Sequence, residues 1–496
     1  TDSSRGVVLT LESTEAMRSR EGDARSRDID AVVGIFQLLS GPYLCVCTGS
    51  TLVANGPANS SFHRIDRVQL LGLQGAATLT KDQQRDEKQF LGLITSVFAT
   101  KSFYFAANYE ITHTAQRIYE QSLHGGPDAM SPTAWTRADP RFFWNLHLLQ
   151  DFVRAREVNV AVDNFVTPVI NGFVSYKPEV SAGSGVPTFD LLLVSRRSRN
   201  RQGTRFHRRG IDTAGDVANF VETEQLLLHA DGRISSHVQV RGSIPVFWTQ
   251  TPTMKYTPKC ALLDAYADSA VVQACSGHFR GLNTVYGGDV VAVNLIDTKG
   301  DQLMLGQAYE AAVQKAQATG AAAKYVWFDF HKECRKMQWH KLSNLMDMVE
   351  GDLDKQGIFT TGPDGVMTRR QVGVMRTNCM DNLDRTNVVQ SLFGRWAILQ
   401  ALQGGGALPK PPSVLDSGLA SLERTFKATW ADNADAMSML YSGTPALKTD
   451  FTRTGKRTTL GKLQDGKHSL IRYFLNNLAD GRRQDAWDLF LGRYSP

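Results

Sequence analysis

The chain has 496 residues, with 55 Lys+Arg against 49 Asp+Glu and a formal charge of +6; at roughly 100–200 residues per domain, that length makes two to four domains. A composition of 42% hydrophobic and 21% charged residues excludes a disordered or fibrous chain, and no apolar run approaches the roughly 18 residues of a membrane-spanning helix. Its 6 cysteines include no Cys-x2-Cys pair and meet no complementary histidine pair, which speaks against a structural metal and suits a reducing compartment. Beginning at Thr1 rather than Met, the chain reads as a trimmed piece, soluble as it stands and without a secretory signal.

Residues 1–30 are polar and charged and read as a flexible lead-in. From Ala31 strands are expected: 32–36, then 43–47 with period-two alternation, parted by Ser40, Gly41 and Pro42. Stretches 90–99 and 103–106 read as more of the same. A helix is expected over 141–153, where Phe142, Phe143, Leu146, Leu149 and Val153 share a face. The small residues of 181–187 make the best linker, so a boundary near residue 180 separates a 31–180 domain from a 181–496 domain. Beyond it, 189–194, 238–244, 246–248 and 325–330 read as strands, and 307–318 and 333–349 as helices. Strands alternating with helices make the second half α/β.

The informative segment is 372–386, which contains a Cys-x5-Arg spacing from Cys379 to Arg385. The spacing alone is weak. Its context is not: an apolar strand at 372–375 leads in, and Val388, Val389, Leu392, Trp396, Leu399 and Leu402 mark a helix beyond it, ended by Gly404, Gly405 and Gly406. Thr386 or Asn387 can cap the first turn. A short loop (Met380, Asp381, Asn382, Leu383, Asp384) closing onto a helix N-terminus gathers backbone N–H groups around one concavity, which suits a phosphate dianion. The same field favours thiolate at Cys379. Arg385 brings a planar fork to two phosphate oxygens, and Thr386 can hydrogen-bond the sulfur. The implied reaction is attack by Cys379, a phosphocysteine intermediate and hydrolysis by water, with no metal or other cofactor. The leaving alkoxide needs a proton. Asp381 is the expected donor, kept protonated by the neighbouring anions. Asp384 reads as a brace for Arg385, with Asp329 and His331 in reserve and Cys334 as packing.

Residues 376–387 resemble the signature of the Sac-domain phosphoinositide phosphatases, and 203–210, 219–225, 241–248, 328–337 and 447–457 are similar to other segments of that family. The likeness runs from about residue 100 onward. It is nearest to the endoplasmic-reticulum/Golgi branch, which acts mainly on phosphatidylinositol 4-phosphate. The resemblance implies a mainly-β N-terminal Sac domain, an α/β catalytic domain and location at the cytosolic face of those membranes. It also implies membrane-trafficking protein partners and two C-terminal membrane helices, absent from a chain that stops at Pro496. The family usually has a second cysteine where this chain has Asn382; the loop backbone should survive that change, and only the thiol is lost.

Arg196, Arg197, Arg199, Arg201, Arg205, Arg208 and Arg209 crowd one stretch, and Arg453, Lys456 and Arg457 form a smaller cluster. Beside a phosphate-cleaving loop these read as a surface for phosphoinositide headgroups in anionic membranes rather than for nucleic acid. Two rivals remain: a phosphotyrosine or dual-specificity protein phosphatase, and a phosphoinositide-binding adaptor with a weak loop.

Overall fold

The computed structural model describes residues 28–496 except 74–78, 107, 126–130, 132, 184, 252–257, 264–267, 336–337, 405, 407–413, 416–418, 448–452, 454–458 and 495. Lys456, Arg457 and nearly all of the 1–30 lead-in therefore lie outside the described residues.

Strands β1 (Ala31–Leu38), β2 (Gly41–Asn55), β3 (Ser61–Gly72), β4 (Phe103–Ala106), β5 (Val169–Val180), β6 (Phe189–Arg197), β7 (Val221–His229) and β8 (Ile234–Arg241) follow one another as antiparallel neighbours. Helices α1 (Lys81–Phe98), α2 (Ala115–Leu123) and α3 (Gln150–Ala155) interrupt the series. The chain then forms the short pair β9 (Trp248–Thr249) and β10 (Ala261–Leu262), helix α4 (Asp268–Tyr286), β11 (Val290–Asn294), α5 (Gly300–Ala318), β12 (Ala323–Trp327), α6 (Phe330–Glu333) and α7 (Leu342–Gln356). After them come β13 (Phe359–Thr361), β14 (Met367–Arg369), β15 (Val374–Asn378), and helices α8 (Asp384–Gly404), α9 (Ala420–Ser442), α10 (Thr459–Phe474) and α11 (Asp480–Phe490).

The sheet changes character at β8. β15 lies parallel to it, with Arg376 opposite Val240, and β11 and β12 continue the parallel part. All five residues of β15 and of β11 are buried, as expected of parallel strands covered on both faces. Along β11, Val290 and Ala292 pack against α4 and α5, whereas Val291 and Val293 pack against α7, α8 and α9. That alternation is the period-two side-chain geometry of a strand at work in a three-layer α/β unit. Gly373 (φ +100°) makes the turn into β15, where a Cβ would lie 2.4 Å from Asp289 O.

The mixed α/β class stands, and several expected elements change. The 90–99 stretch is the end of α1. Thr80 and Gln83 form a reciprocal capping box at its start, and Leu93, Ile94, Val97 and Phe98 are its buried face. The 141–153 stretch is mostly turns, and only Gln150–Ala155 is helical. The single helix expected over 333–349 is two, α6 and α7, with a 3-10 turn at Trp339–Lys341 between them. The expected linker at 181–187 joins two strands that pair directly, Val180 with Phe189. The sheet thus runs through the proposed boundary. α11 also returns to the N-terminal strands, where Trp487 and Phe490 pack with Phe103 and Trp144.

Candidate active site

The strand–loop–helix expectation holds, with the strand two residues later and the helix starting at Asp384. Thr386 and Asn387 are therefore inside α8 rather than at its cap. β15 delivers Cys379 to the C-terminal edge of the parallel strands, and residues 379–383 turn directly into the N-terminus of α8. The strand ends are braced from behind. Arg376 donates to Ser243 O, His278 Nε2 (3.2 Å) and Asn378 Oδ1 (2.9 Å). Asn378 donates on to Asn294 Oδ1 (2.7 Å), and Asn294 to Tyr325 OH (2.8 Å). One polar chain thus ties the segment after β8 to β15, β11 and β12 at the edge where the loop begins.

Cys379 is 3% exposed. Two arginines reach its loop from elsewhere in the fold, Arg209 at Met380 O and Arg241 at Asn382 O. Arg241, at the end of β8, is fully buried and donates only to neutral acceptors: Asn382 O (3.4 Å), Asn387 Oδ1 (3.2 Å) and Asn433 Oδ1 (3.2 Å). Burial draws its pKa down to about 10, against the pull of Cys379. A buried cation facing neutral groups is costly until an anion arrives. The Thr386 hydroxyl is also fully buried and has no partner.

Arg209 reaches into the loop from the other side. It donates to Met380 O (2.8 Å), to Gln250 Oε1 (2.7 Å) and to Asp381 Oδ1 (2.5 Å). Arg205 holds the second carboxylate oxygen of Asp381 at 2.7 Å, and Asn219 Nδ2 donates to Asp381 O (3.2 Å). Burial opposes the charge on Asp381, yet the two guanidiniums hold its carboxyl far below the usual carboxylate range. This corrects the expected role: Asp381 is an ionised strut between two arginines, with no proton to give. The expected raising by thiolate and phosphate loses to two cations in direct contact.

The brace for Arg385 is also not the expected one. Arg385 Nη1 donates to Leu295 O (3.2 Å) and to Asp297 Oδ1 (3.4 Å) beyond β11. That carboxylate oxygen also receives His331 Nδ1 at 2.8 Å. Asp384 instead accepts from Leu447 N (2.9 Å), with Arg472 Nη1 at 4.0 Å from its other oxygen. Asp329 caps α6 and accepts from Thr298 N and Oγ1 (2.8 and 2.7 Å) and Lys332 N (3.0 Å). Those bonds outweigh burial and keep it ionised. Cys334 packs in the core shared with Cys379, where burial pushes its thiol up to about 11.

Asn382 does more than fill a cysteine's place. Its backbone is left-handed (φ +56°), a region asparagine tolerates better than most residues. Its amide satisfies both ends when Nδ2 donates to Gly242 O (3.0 Å) and Oδ1 accepts from Ser243 N (2.9 Å). The side chain pins the loop to the segment after β8. Asn382→Cys removes both bonds and places a less tolerant residue at positive φ. We expect it to lower unfolding stability by roughly 2–4 kcal/mol and to slow turnover, as read by denaturant titration and initial rates. A variant as stable as its parent would show that the clamp is idle.

The arginine stretch 196–209 is corrected as well. Arg196, Arg197 and Arg209 are 1%, 2% and 3% exposed. Arg196 bridges Glu222 (3.2 Å) and Glu224 (2.8 Å) inside the sheet. Arg197 donates to Asn171 Oδ1 (2.6 Å) and lies over Trp144 and Trp487. Arg199, Arg201, Arg205 and Arg208 are half-buried, and Arg208 pairs with Asp488. Arg453 pairs with Asp432 (2.8 Å) and Asp435 (3.1 Å). Arg196 and Arg197 end β6 on opposite faces, both covered, and Arg205 and Arg209 beyond the strand are turned to Asp381, so these four brace the sheet and the loop instead of coating the surface. Arg241, Asn219 and Asp297 were not singled out from sequence as site residues. A lone arginine in a buried-strand pattern at 238–244 was the available signal for Arg241.

The SacI homology domain family matches residues 30–335. Phosphatidylinositol-3-phosphatase SAC1-A of Danio rerio is 41% identical over 470 residues, covering 95% of this chain and 77% of the relative. Phosphatidylinositol-3-phosphatase SAC1 of Saccharomyces cerevisiae is 37% identical, covering 94% and 73%. Phosphoinositide phosphatase SAC7 of Arabidopsis thaliana is 37% identical, covering 94% and 75%. With that coverage, and with the loop standing between a parallel strand and a helix, the chain belongs to the Sac family of SacI homology-domain proteins.

Proposed function

We propose that the chain is a phosphoinositide phosphatase that hydrolyses phosphatidylinositol monophosphates through Cys379, favouring the 4-phosphate, at the cytosolic face of endoplasmic-reticulum and Golgi membranes. The observation that carries the reading is Cys379 at the start of a loop that runs into a helix N-terminus and is held by Arg209 at Met380 and by the fully buried Arg241 at Asn382. A phosphate dianion supplies the negative charge that Arg241 faces in none of its hydrogen-bond acceptors, while the α8 N–H groups and Arg385 bind the non-bridging oxygens. The Cys379 thiolate attacks phosphorus as the P–O bond to the inositol breaks; water then cleaves the S–P bond and inorganic phosphate leaves. The relatives from fish and yeast are named for the 3-phosphate, so phosphate release across the isomers is the test. Release from no isomer, with a phosphopeptide hydrolysed instead, would favour a protein phosphatase.

With Asp381 locked between arginines, the proton for the departing inositol oxygen comes from His331, which Asp297 orients beside Arg385. His331→Asn is expected to lower kcat on the lipid by about 10²-fold. On an aryl phosphate, whose leaving group needs no proton, the same variant should lose little. Equal losses on both substrates would refute the assignment.

A further inference from the structure

Helix α10 and the π turn that continues it (Leu475–Ala479) are amphipathic the wrong way round. A surface helix ordinarily buries its apolar stripe. Here the buried face is polar. Arg472 donates to Ser438 Oγ (3.0 Å), Thr444 Oγ1 (2.8 Å) and Pro445 O (2.8 Å), and Asn476 donates to Ser442 O (2.9 Å), all at the end of α9. The outward face is apolar: Leu463, Leu470, Ile471, Phe474 and Leu478 are 68%, 59%, 38%, 50% and 71% exposed. Their spacing of seven, one, three and four residues keeps them on one side of the helix. The flank between the two faces, with Ser469, Tyr473 and Asn477, lines a cavity of about 180 Å³ that also takes in the loop carboxylates Asp381 and Asp384.

We propose that this stripe is the membrane-contacting surface, inserting into the headgroup region of an anionic bilayer and setting the loop-side cavity at the lipid surface; the proposal rests on the phosphoinositide reading above. Charge selects a bilayer as the occupant. As sequence, 447–467, which runs into the start of the stripe, carries Lys448, Lys456, Arg457, Lys462 and Lys467 against Asp450 and Asp465, besides Arg453, which pairs with Asp432 and Asp435. Lys467 is exposed on the stripe's own side, and Arg482 is exposed just beyond it. Apolar side chains flanked by exposed basic ones, as Lys467 and Arg482 flank these, are the pattern of a helix lying in an anionic interface. Geometry agrees: one helix offers its apolar side to the lipid and its flank to the cavity, so a headgroup held at that surface is already beside the loop.

The test compares the parent with Leu470→Ser/Phe474→Ser. Two substrates are used: phosphatidylinositol 4-phosphate in phosphatidylcholine/phosphatidylserine vesicles, and its water-soluble short-chain analogue. Vesicle co-flotation and vesicle turnover should fall at least about tenfold, with short-chain turnover within about twofold of the parent, which also reports intact folding. Undiminished flotation and vesicle turnover, or an equal loss on both substrates, would overturn the proposal. A parent inactive on both substrates would instead overturn the phosphatase reading. Phe474→Trp supplies a second readout. Its emission should shift to the blue on adding the anionic vesicles. A blue shift that grows with protein concentration in their absence would assign the stripe to a second copy of the chain and overturn the bilayer.

Discussion

Replacing Cys379 with serine should lower phosphate release from a phosphoinositide by at least about 10⁴-fold, while the purified chain keeps its unfolding midpoint. The oxygen of serine is a far poorer nucleophile without an adjacent base. The two arginines that reach its loop, Arg209 at Met380 and Arg241 at Asn382, take no proton at neutral pH. The same arginines and helix N-terminus still bind phosphate, so affinity for a phosphoinositide should survive the loss of turnover. Serine is close to isosteric with cysteine, so the core around position 379 should hold. Initial rates and a binding titration on one preparation check both halves. Turnover within tenfold of the parent would remove Cys379 from the chemistry.

The second large effect is on stability. Asp381→Asn should destabilise the fold by about 3 kcal/mol at neutral pH, because it leaves Arg209 buried without its anion. The sign of the pH dependence follows from the depressed folded pKa. The unfolded carboxyl titrates near 4, while the folded one stays ionised well below that. The pair therefore contributes fully above about pH 4, and its contribution is lost as pH falls from there through the folded value. Denaturant unfolding of parent and variant should differ most at pH 6–7 and converge as the medium is acidified below about pH 4. A gap independent of pH would mean that the loop is held by packing rather than by the ion pairs.

Much of the site was legible because it is local. The strand, the loop, the long helix and Cys379 with Arg385 follow from one run of residues with clear periodicity. What sequence could not supply is what arrives from far away. Arg209 and Arg205 lie more than a hundred residues from Asp381 in the chain, and their contact reverses the role that its immediate neighbours suggest. Asp297 reaches Arg385 from beyond β11, a strand that only sheet pairing places beside β15. The arginine run at 196–209 misled for a related reason. Composition cannot tell a solvated loop from a strand whose charges meet glutamates on the next one, as Arg196 meets Glu222 and Glu224. By contrast, the misread helix at 81–98 was avoidable: Thr80 and Gln83 stand at capping-box spacing in the sequence itself. The connection at 181–187 shows the limit of composition in another way, since small residues mark turns inside a sheet as readily as breaks between domains.

The most direct test of the central claim is to look for the covalent intermediate. The parent would be mixed with phosphatidylinositol 4-phosphate carrying a labelled 4-phosphate, quenched with denaturant within the first turnover, digested, and the label located by mass spectrometry. The account predicts one phosphorylated peptide, with phosphate on the sulfur of Cys379, decaying at the rate at which inorganic phosphate appears. Phosphate released in the first turnover with no label passing through Cys379, or label on another side chain, would contradict it.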